Sequence, residues 1–208
     1  MRAALLLAVS AACASAPPKP AVPPPPPESA VAETRTEGEL IRSYDLNRDG
    51  KPDDWKFYKL LDVEGRQVEV LVRRELDANF DGKVDIWTWF QPDGTRSKEQ
   101  FDLDFDGRVD VVHHYEKGVL ARKETFRGSS DKPAQVTFFE GGKKVRVERD
   151  GAGKGRIDTW EYWEDGRLLR IGRDLDGDGA VDRWIRARED EDEGPKKSVE
   201  KVQPPARP

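Results

Sequence analysis

Asp77-Ala78-Asn79-Phe80-Asp81-Gly82-Lys83-Val84-Asp85 runs straight into Ile86-Trp87-Thr88-Trp89-Phe90 and then Gln91-Pro92-Asp93-Gly94, and this passage sets the reading of the chain. Its first nine residues place side-chain oxygens at positions one, three, five and nine, with a glycine at six. The next five are aromatic or β-branched, which reads as a strand. Pro-Asp-Gly follows as a tight turn. A polar-alternating stretch then leads to Phe101 and to a second nonapeptide of the same grammar, so the unit is loop, strand, turn, strand.

Clean copies of the nonapeptide start at Asp45, Asp77, Asp102 and Asp174. A degenerate copy at Asp150 has Ala152 and Lys154 at the third and fifth positions, where Lys154 would put an ammonium in place of a ligand. A weaker one, Arg127-Gly128-Ser129-Ser130-Asp131, lies near 127. The intervals are 32, 25, 25, 23 and 24 residues, the signature of a repeat array, with the first lengthened by a larger connection from Leu61 to Arg66. Gly65, Gly118, Gly141-Gly142 and Gly166 mark the other turns. The expected fold is all-β: an antiparallel meander of repeated hairpins, its tight turns along one side and its nonapeptide loops along the other.

Alternating oxygen side chains followed by a glycine suit a hard, oxygen-loving cation of calcium's size. The candidate ligands are Asp45, Asn47, Asp49 and Asp53; Asp77, Asn79, Asp81 and Asp85; Asp102, Asp104, Asp106 and Asp110; and Asp174, Asp176, Asp178 and Asp182. Backbone carbonyls at position seven, from Lys51, Lys83, Arg108 and Ala180, complete each set. The eighth position, Pro52, Val84, Val109 or Val181, is an apolar residue expected to tuck inward. Acidic turns without any metal are the competing reading. The loops resemble the front half of an EF-hand, departing from it at position twelve, where Lys56, Thr88, His113 and Ile185 stand in place of a bidentate Glu. They are more similar to the calcium loops of thrombospondin type 3 repeats and of integrin FG-GAP domains. That resemblance covers nine or ten residues per repeat and implies that the ninth Asp supplies the bidentate contact. Four calcium sites are expected, with affinities on the order of 10⁻⁴ to 10⁻³ M.

Hydrophobic residues make up 36% of the 208-residue chain and charged ones 37%, so a large single core is not expected. The net charge of −5, with acids concentrated in loops, excludes a basic stripe for nucleic acid. The two histidines, His113 and His114, are adjacent and point to opposite faces of a strand, so they do not share a ligand. With no second cysteine, no histidine-activated nucleophile and no Ser or Thr after Lys154 in Gly151-Ala-Gly153-Lys154-Gly155, no enzyme is expected. Two residues past each ninth position stand Trp55, Trp87, Val112, Trp160 and Trp184, in one phase and so on one face. They read either as the core of a charged chain or, through Trp87, Trp89, Trp160 and Trp163, as a platform for cell-wall or capsule glycan. A peptide-binding hairpin array has only the plan of strand and turn behind it.

Residues 1–12 have the grammar of a bacterial export signal. Ser10-Ala11-Ala12-Cys13 resembles a lipobox, with Ser10 where leucine is usual; this implies lipidation of Cys13. A cut after Ala14 or Ala16 is the alternative. Residues 13–37 are Pro-rich and read as a semi-rigid tether, 38–187 as the repeat domain, and 188–208 as a disordered charged tail. Together these describe an exported, lipid-anchored calcium-binding protein with a structural or binding role at the cell envelope. Ala14 after the cysteine favours the outer membrane, and an envelope protein or glycan is the expected partner.

Overall fold

The computed structural model describes residues 32–36 and 38–187. Cys13, the export signal, most of the tether and the charged tail lie outside the described residues. Thirteen strands form one antiparallel sheet in sequence order: β1 (Ala32–Thr36), β2 (Glu39–Tyr44), β3 (Asp54–Val63), β4 (Arg66–Leu76), β5 (Ile86–Phe90), β6 (Arg96–Phe101), β7 (Val111–Glu116), β8 (Val119–Thr125), β9 (Gln135–Glu140), β10 (Lys143–Arg149), β11 (Thr159–Glu164), β12 (Arg167–Arg173) and β13 (Arg183–Arg186). The expected meander is therefore present. β1 begins inside the stretch assigned to the tether, so the sheet starts earlier than residue 38. Among the described residues the sheet does not close: β1 and β13 each pair with a single neighbour.

Connections alternate strictly. Tight turns join β3 to β4, β7 to β8, β9 to β10 and β11 to β12, with paired left-handed residues such as Glu64 and Gly65 (φ 53° and 74°) and Asp165 and Gly166 (46° and 81°). That backbone is the one whose twist matches flanking strands in a two-residue hairpin. At the opposite edge lie six loops of nine residues. In each, the ninth N–H bonds to the carbonyl just before the loop, as in Asp85 to Leu76 (2.9 Å) and Ala134 to Thr125 (2.8 Å). These bonds place the weak copy at Phe126 to Ala134 and move its expected start by one residue. Loop starts at 45, 77, 102, 126, 150 and 174 give intervals of 32, 25, 24, 24 and 24. In its true frame this loop has neither a first nor a ninth Asp.

One cross-strand row runs through Ser43, Trp55, Glu75, Trp87, Gln100, Val112, Glu124, Val136, Glu148, Trp160, Gly172 and Trp184. The tryptophans do share a face, yet they do not stack on one another, because every second strand interposes Glu75, Gln100, Glu124, Glu148 or Gly172. Rings in the row are two strands apart, about 9.6 Å. At Gly172 an added Cβ would sit 2.9 Å from Val181 Cγ1 and 3.1 Å from Trp184 Cζ3, so only a missing side chain lets these groups close over the strand.

Two residues along, on the same face, Phe57, Trp89, Phe138 and Tyr162 alternate with Arg73, Lys98, Arg146 and Arg170. The cations lie over the rings, Arg73 3.9 Å from Phe57, Lys98 5.0 Å from Trp89, Arg146 4.1 Å from Phe138 and Arg170 4.6 Å from Tyr162. Each contact contributes about 0.5–1 kcal/mol at such exposed sites. The same cations reach acids two residues away, Arg73 to Glu75 at 3.3 Å and Arg146 to Glu148 at 3.3 Å. Long aliphatic stems thus cover aromatic rings and keep their charged heads in water. This explains how the sheet is held together although, among the described residues, the buried hydrophobic ones are only Leu40, Tyr44, Val111, Val112, Val136 and Val147.

Candidate metal centre

The five loops that begin with Asp are built by their own carboxylates. In the loop from 77, Asp77 accepts N–H bonds from Phe80 (2.7 Å), Asp81 (3.2 Å) and Gly82 (2.7 Å), while one oxygen of Asp85 accepts from Ala78 (2.7 Å) and Asn79 (3.2 Å). The loop from 45 repeats the pattern: Asp45 accepts from Arg48, Asp49 and Gly50, and Asp53 from Leu46 and Asn47. Curling amides round the first carboxylate requires left-handed backbone at positions four and six. Position six is glycine in the five loops that begin with Asp (φ 74° to 90°), where a side chain would be strained. Position four is Arg48, Phe80 or Phe105 (φ 66°, 65° and 63°) in three loops, and Gly153 or Gly177 in two others. A bulky residue there costs on the order of 1–2 kcal/mol per position.

Third- and fifth-position acids do less for the backbone. Asp104 and Asp106 each cap one amide, of Asp106 (3.3 Å) and Arg108 (2.9 Å), and both are exposed. Asp176 and Asp178 do the same for Asp178 and Ala180. Asp102, Asp104 and Asp106 carry oxygens within 4.8 Å of one another, as do Asp174, Asp176 and Asp178, and each triplet could hold a metal ion. The ninth acids, Asp53, Asp85, Asp110 and Asp182, are not in these triplets. Each has an oxygen occupied by two amides, Asp110 by Leu103 and Asp104, and Asp182 by Leu175 and Asp176. This brace role differs from the bidentate contact that the resemblance implies. In the loops from 45 and 77, the third residue is amide rather than carboxylate: Asn47 Nδ2 and Asn79 Nδ2 donate to Asp49 (3.2 Å) and Asp81 (3.3 Å). At position seven, Lys51, Lys83, Arg108 and Ala180 are anchored by their N–H groups to the fifth Asp.

The degenerate loop from 150 separates the two jobs. Asp150 still accepts from Lys154 and Gly155, and Asp158 from Gly151 and Ala152, all at 2.7–2.8 Å, although positions three and five are Ala152 and Lys154. The loop therefore forms without third and fifth acids. Burial pushes both carboxyls up, but backbone N–H bonds on Asp150, and the Thr159 hydroxyl and backbone N–H bonds on Asp158, outweigh it and hold each below its ordinary range. Crowded acids are thus stabilised by amides as well as by any cation, a compensation invisible in the residue pattern.

The loop from 102 fits a divalent cation best. Asp102 is 3% exposed, and its Oδ1 is buried without a hydrogen-bond partner. Its counterpart in Asp77 takes the amides of Phe80 and Asp81. A buried carboxylate oxygen left bare beside two further carboxylates is costly unless an ion completes it.

On the sheet face opposite the tryptophan row, Glu99 accepts a hydrogen bond from the Tyr115 hydroxyl and pairs with Arg96 at 3.1 Å. His113 Nδ1 lies 4.0 Å from Glu99, and His114 contacts Glu124 at 3.3 Å on the other face, so the histidines diverge as expected. Burial, then the Lys123 charge, holds His113 below the usual imidazole range. The folded state then binds fewer protons than the unfolded chain, so stability present above pH ~6.5 is lost as pH falls. His113→Gln is expected to flatten the drop in denaturation midpoint between pH 7 and 5; an equally steep drop in the variant would refute this. Cations also occupy aromatic faces that a sugar would need, with Lys144 3.1 Å from the Trp163 ring centre and Lys98 over Trp89.

No protein-family model matches the chain, and no curated protein matches it. Solved structures that match include S. aureus TarM in complex with fondaparinux, alpha-GlcNAc-glycerol and UDP (10% identity, TM-score 0.30, 66% of this chain and 20% of that one). The pneumococcal O-GlcNAc transferase GtfA with UDP and GlcNAc matches at 16% identity and TM-score 0.27, over 62% of this chain and 20% of that one. Accessory secretory proteins 1, 2 and 3 of Streptococcus pneumoniae match at 15% identity and TM-score 0.23, over 56% and 19%. This chain spans about a fifth of the length of each. The expectation that the chain is not an enzyme does not stand beside these neighbours, one of them a transferase by name. At TM-scores of 0.30 and below, the likeness assigns no activity either.

Proposed function

We propose that this chain is an exported calcium-binding β-repeat protein of the bacterial cell envelope, tethered to a membrane through a lipid on Cys13. Calcium ions clamp neighbouring loops along one edge of the sheet and so fix the spacing of its hairpins. The observation that carries this reading is the bare, buried Asp102 Oδ1 beside Asp104 and Asp106. Calcium is the cation of choice because every side-chain donor in the loops is oxygen, and a flexible loop with carboxylate, carbonyl and water ligands suits its loose geometry. The all-Asp loops from 102 and 174 are the tighter sites, and the loops from 45 and 77, with Asn at position three, the weaker.

Because successive loops are stitched together, with Asp102 N–H to Asp85 O at 2.8 Å and Asp77 N–H to Asp53 O at 2.8 Å, an ion in one loop stiffens its neighbours. At 10 mM calcium each site of the expected affinity stabilises the fold by about 1.4–2.7 kcal/mol. Two such sites raise the melting temperature by roughly 10 °C. Thermal melts in calcium and in chelator test this, and identical curves would contradict it.

A further inference from the structure

The last two strands carry arginines that the rest of the sheet does not neutralise. On the tryptophan face, arginines of three earlier strands pair with the row glutamate two residues on: Arg73 with Glu75 at 3.3 Å, Arg122 with Glu124 at 3.0 Å and Arg146 with Glu148 at 3.3 Å. In β12 the row residue is Gly172, the position that Val181 and Trp184 close over, so Arg170 finds no carboxylate there. It lies over the Tyr162 and Trp184 rings, 4.6 Å from each. Across the strand pair the alternation of rings and cations also fails, because Arg170 stands directly opposite Arg186.

On the other face, Arg173 stands directly opposite Arg183. Their neighbours in the chain, Asp174 and Asp182, accept backbone amides. Among the described residues no carboxylate forms an ion pair with any of these four arginines. Like charges directly opposite one another are destabilising, so both pairs call for an anion. The first strands differ: Arg42 pairs with Glu33 (3.0 Å) and Glu69 (2.8 Å), and Arg35 with Glu33 (3.2 Å). Among the described residues β13 also has one edge without a strand partner, and such an edge is a template for any other chain unless it is covered.

Two residues past Ala187, whose N–H still bonds to Leu169 O at 2.9 Å, the sequence reads Glu189-Asp190-Glu191-Asp192-Glu193. We propose that this acidic run docks along the free edge of β13 in its own chain, its carboxylates meeting Arg170 and Arg186 on one face and Arg173 and Arg183 on the other. An unbroken run of acids suits arginines on both faces, because successive residues of an extended segment point to opposite faces. Exposed pairs are individually weak. Attachment through Arg188 alone, however, keeps the run at a millimolar or higher effective concentration. The docked run neutralises the terminal arginines and caps the array, as the terminal units of repeat proteins do.

The test is run in chelator, so its outcome does not depend on calcium binding. Full chain carrying Cys13→Ser, which cannot be acylated, is isotope-labelled, and heteronuclear NOEs report the backbone motion of residues 189–193. Salt is set at about 10 mM, where charges act over roughly 30 Å, and at about 1 M, where they act over roughly 3 Å. The expected result is an acidic run as rigid as β13 at low salt and mobile at high salt, unchanged on dilution. The tail variant Glu189→Gln/Asp190→Asn/Glu191→Gln/Asp192→Asn/Glu193→Gln should be mobile at both, as should Arg170→Gln/Arg186→Gln. Because the tail variant alters no residue of the described sheet, its result stands even if the arginine variant fails to fold. A run that is mobile at low salt, its acids taken by Lys196 and Lys197 or by water, overturns the proposal. So does a run that stays rigid at high salt or in the tail variant, and so does rigidity lost on dilution, the mark of a second copy supplying the tail.

Discussion

Replacing Asp77 by alanine is expected to lower stability by about 3 kcal/mol even without calcium, because three amide donors lose their acceptor. Asp77 is 1% exposed and accepts from Phe80, Asp81 and Gly82, so water does not readily substitute. Asp81→Ala, four residues on, is expected to change stability in chelator by less than about 1 kcal/mol, since it removes only two exposed contacts, the cap on the Lys83 amide and the bond from Asn79 Nδ2. In calcium the order changes in character: Asp81→Ala loses an ion, whereas Asp77→Ala loses the loop. Urea unfolding midpoints in calcium and in chelator measure the contrast. Equal losses for the two variants in chelator would refute the division between building acids and metal-facing acids.

Arg74→Ala is the second large effect. Asp54 is fully buried at the start of β3, and Arg74 holds it with a fork, Nε to Oδ1 at 2.7 Å and Nη2 to Oδ2 at 3.0 Å. Lys56 lies 3.6 Å away and does not replace the two directed bonds. Removing one partner leaves a buried charge under-compensated, which costs about 3–5 kcal/mol. The lower end applies here because the Arg74 side chain is 37% exposed and water can reach the space it vacates. Arg74→Lys should recover less than half of the loss, because an ammonium cannot reproduce the fork. Full recovery in denaturant unfolding would show that charge alone, not geometry, holds Asp54.

Much of this architecture was legible in the chain itself. Asp-rich nonapeptides at a near-constant period announced the loops, and glycine-containing turns between β-branched and aromatic runs announced the hairpins. The phase of Trp55, Trp87, Trp160 and Trp184 placed them on one face. What stands between them was not legible, because the partner directly opposite each tryptophan depends on register. Register here includes an irregularity in each of five hairpins, as between Phe57 and Tyr58 and between Trp89 and Phe90. Those shifts leave no mark in the composition.

The candidate site was half legible. Oxygen spacing picked out the two triplets that could hold a metal ion, but only the hydrogen bonds show that Asp53, Asp85, Asp110 and Asp182 spend an oxygen on amides. Sequence spacing counts acids without saying which donors they already serve. The loop from 126 shows the same limit: Asp131 drew the frame toward itself, while the backbone bonds of Phe126 and Ala134 set it one residue earlier. Phe80 and Phe105 are exposed and sit at left-handed backbone, φ 65° and 63°, which the letters do not reveal.

Counting ions by native mass spectrometry at millimolar calcium, on the natural chain and on the variant Asp104→Ala/Asp106→Ala/Asp176→Ala/Asp178→Ala, decides whether the loops are metal centres. Up to four calcium ions should bind the natural chain, and the variant should bind two fewer while its circular dichroism in chelator stays that of an intact sheet. No stoichiometric uptake by the natural chain, or the same ion count in both proteins, would contradict the account and leave the acids as builders of backbone alone.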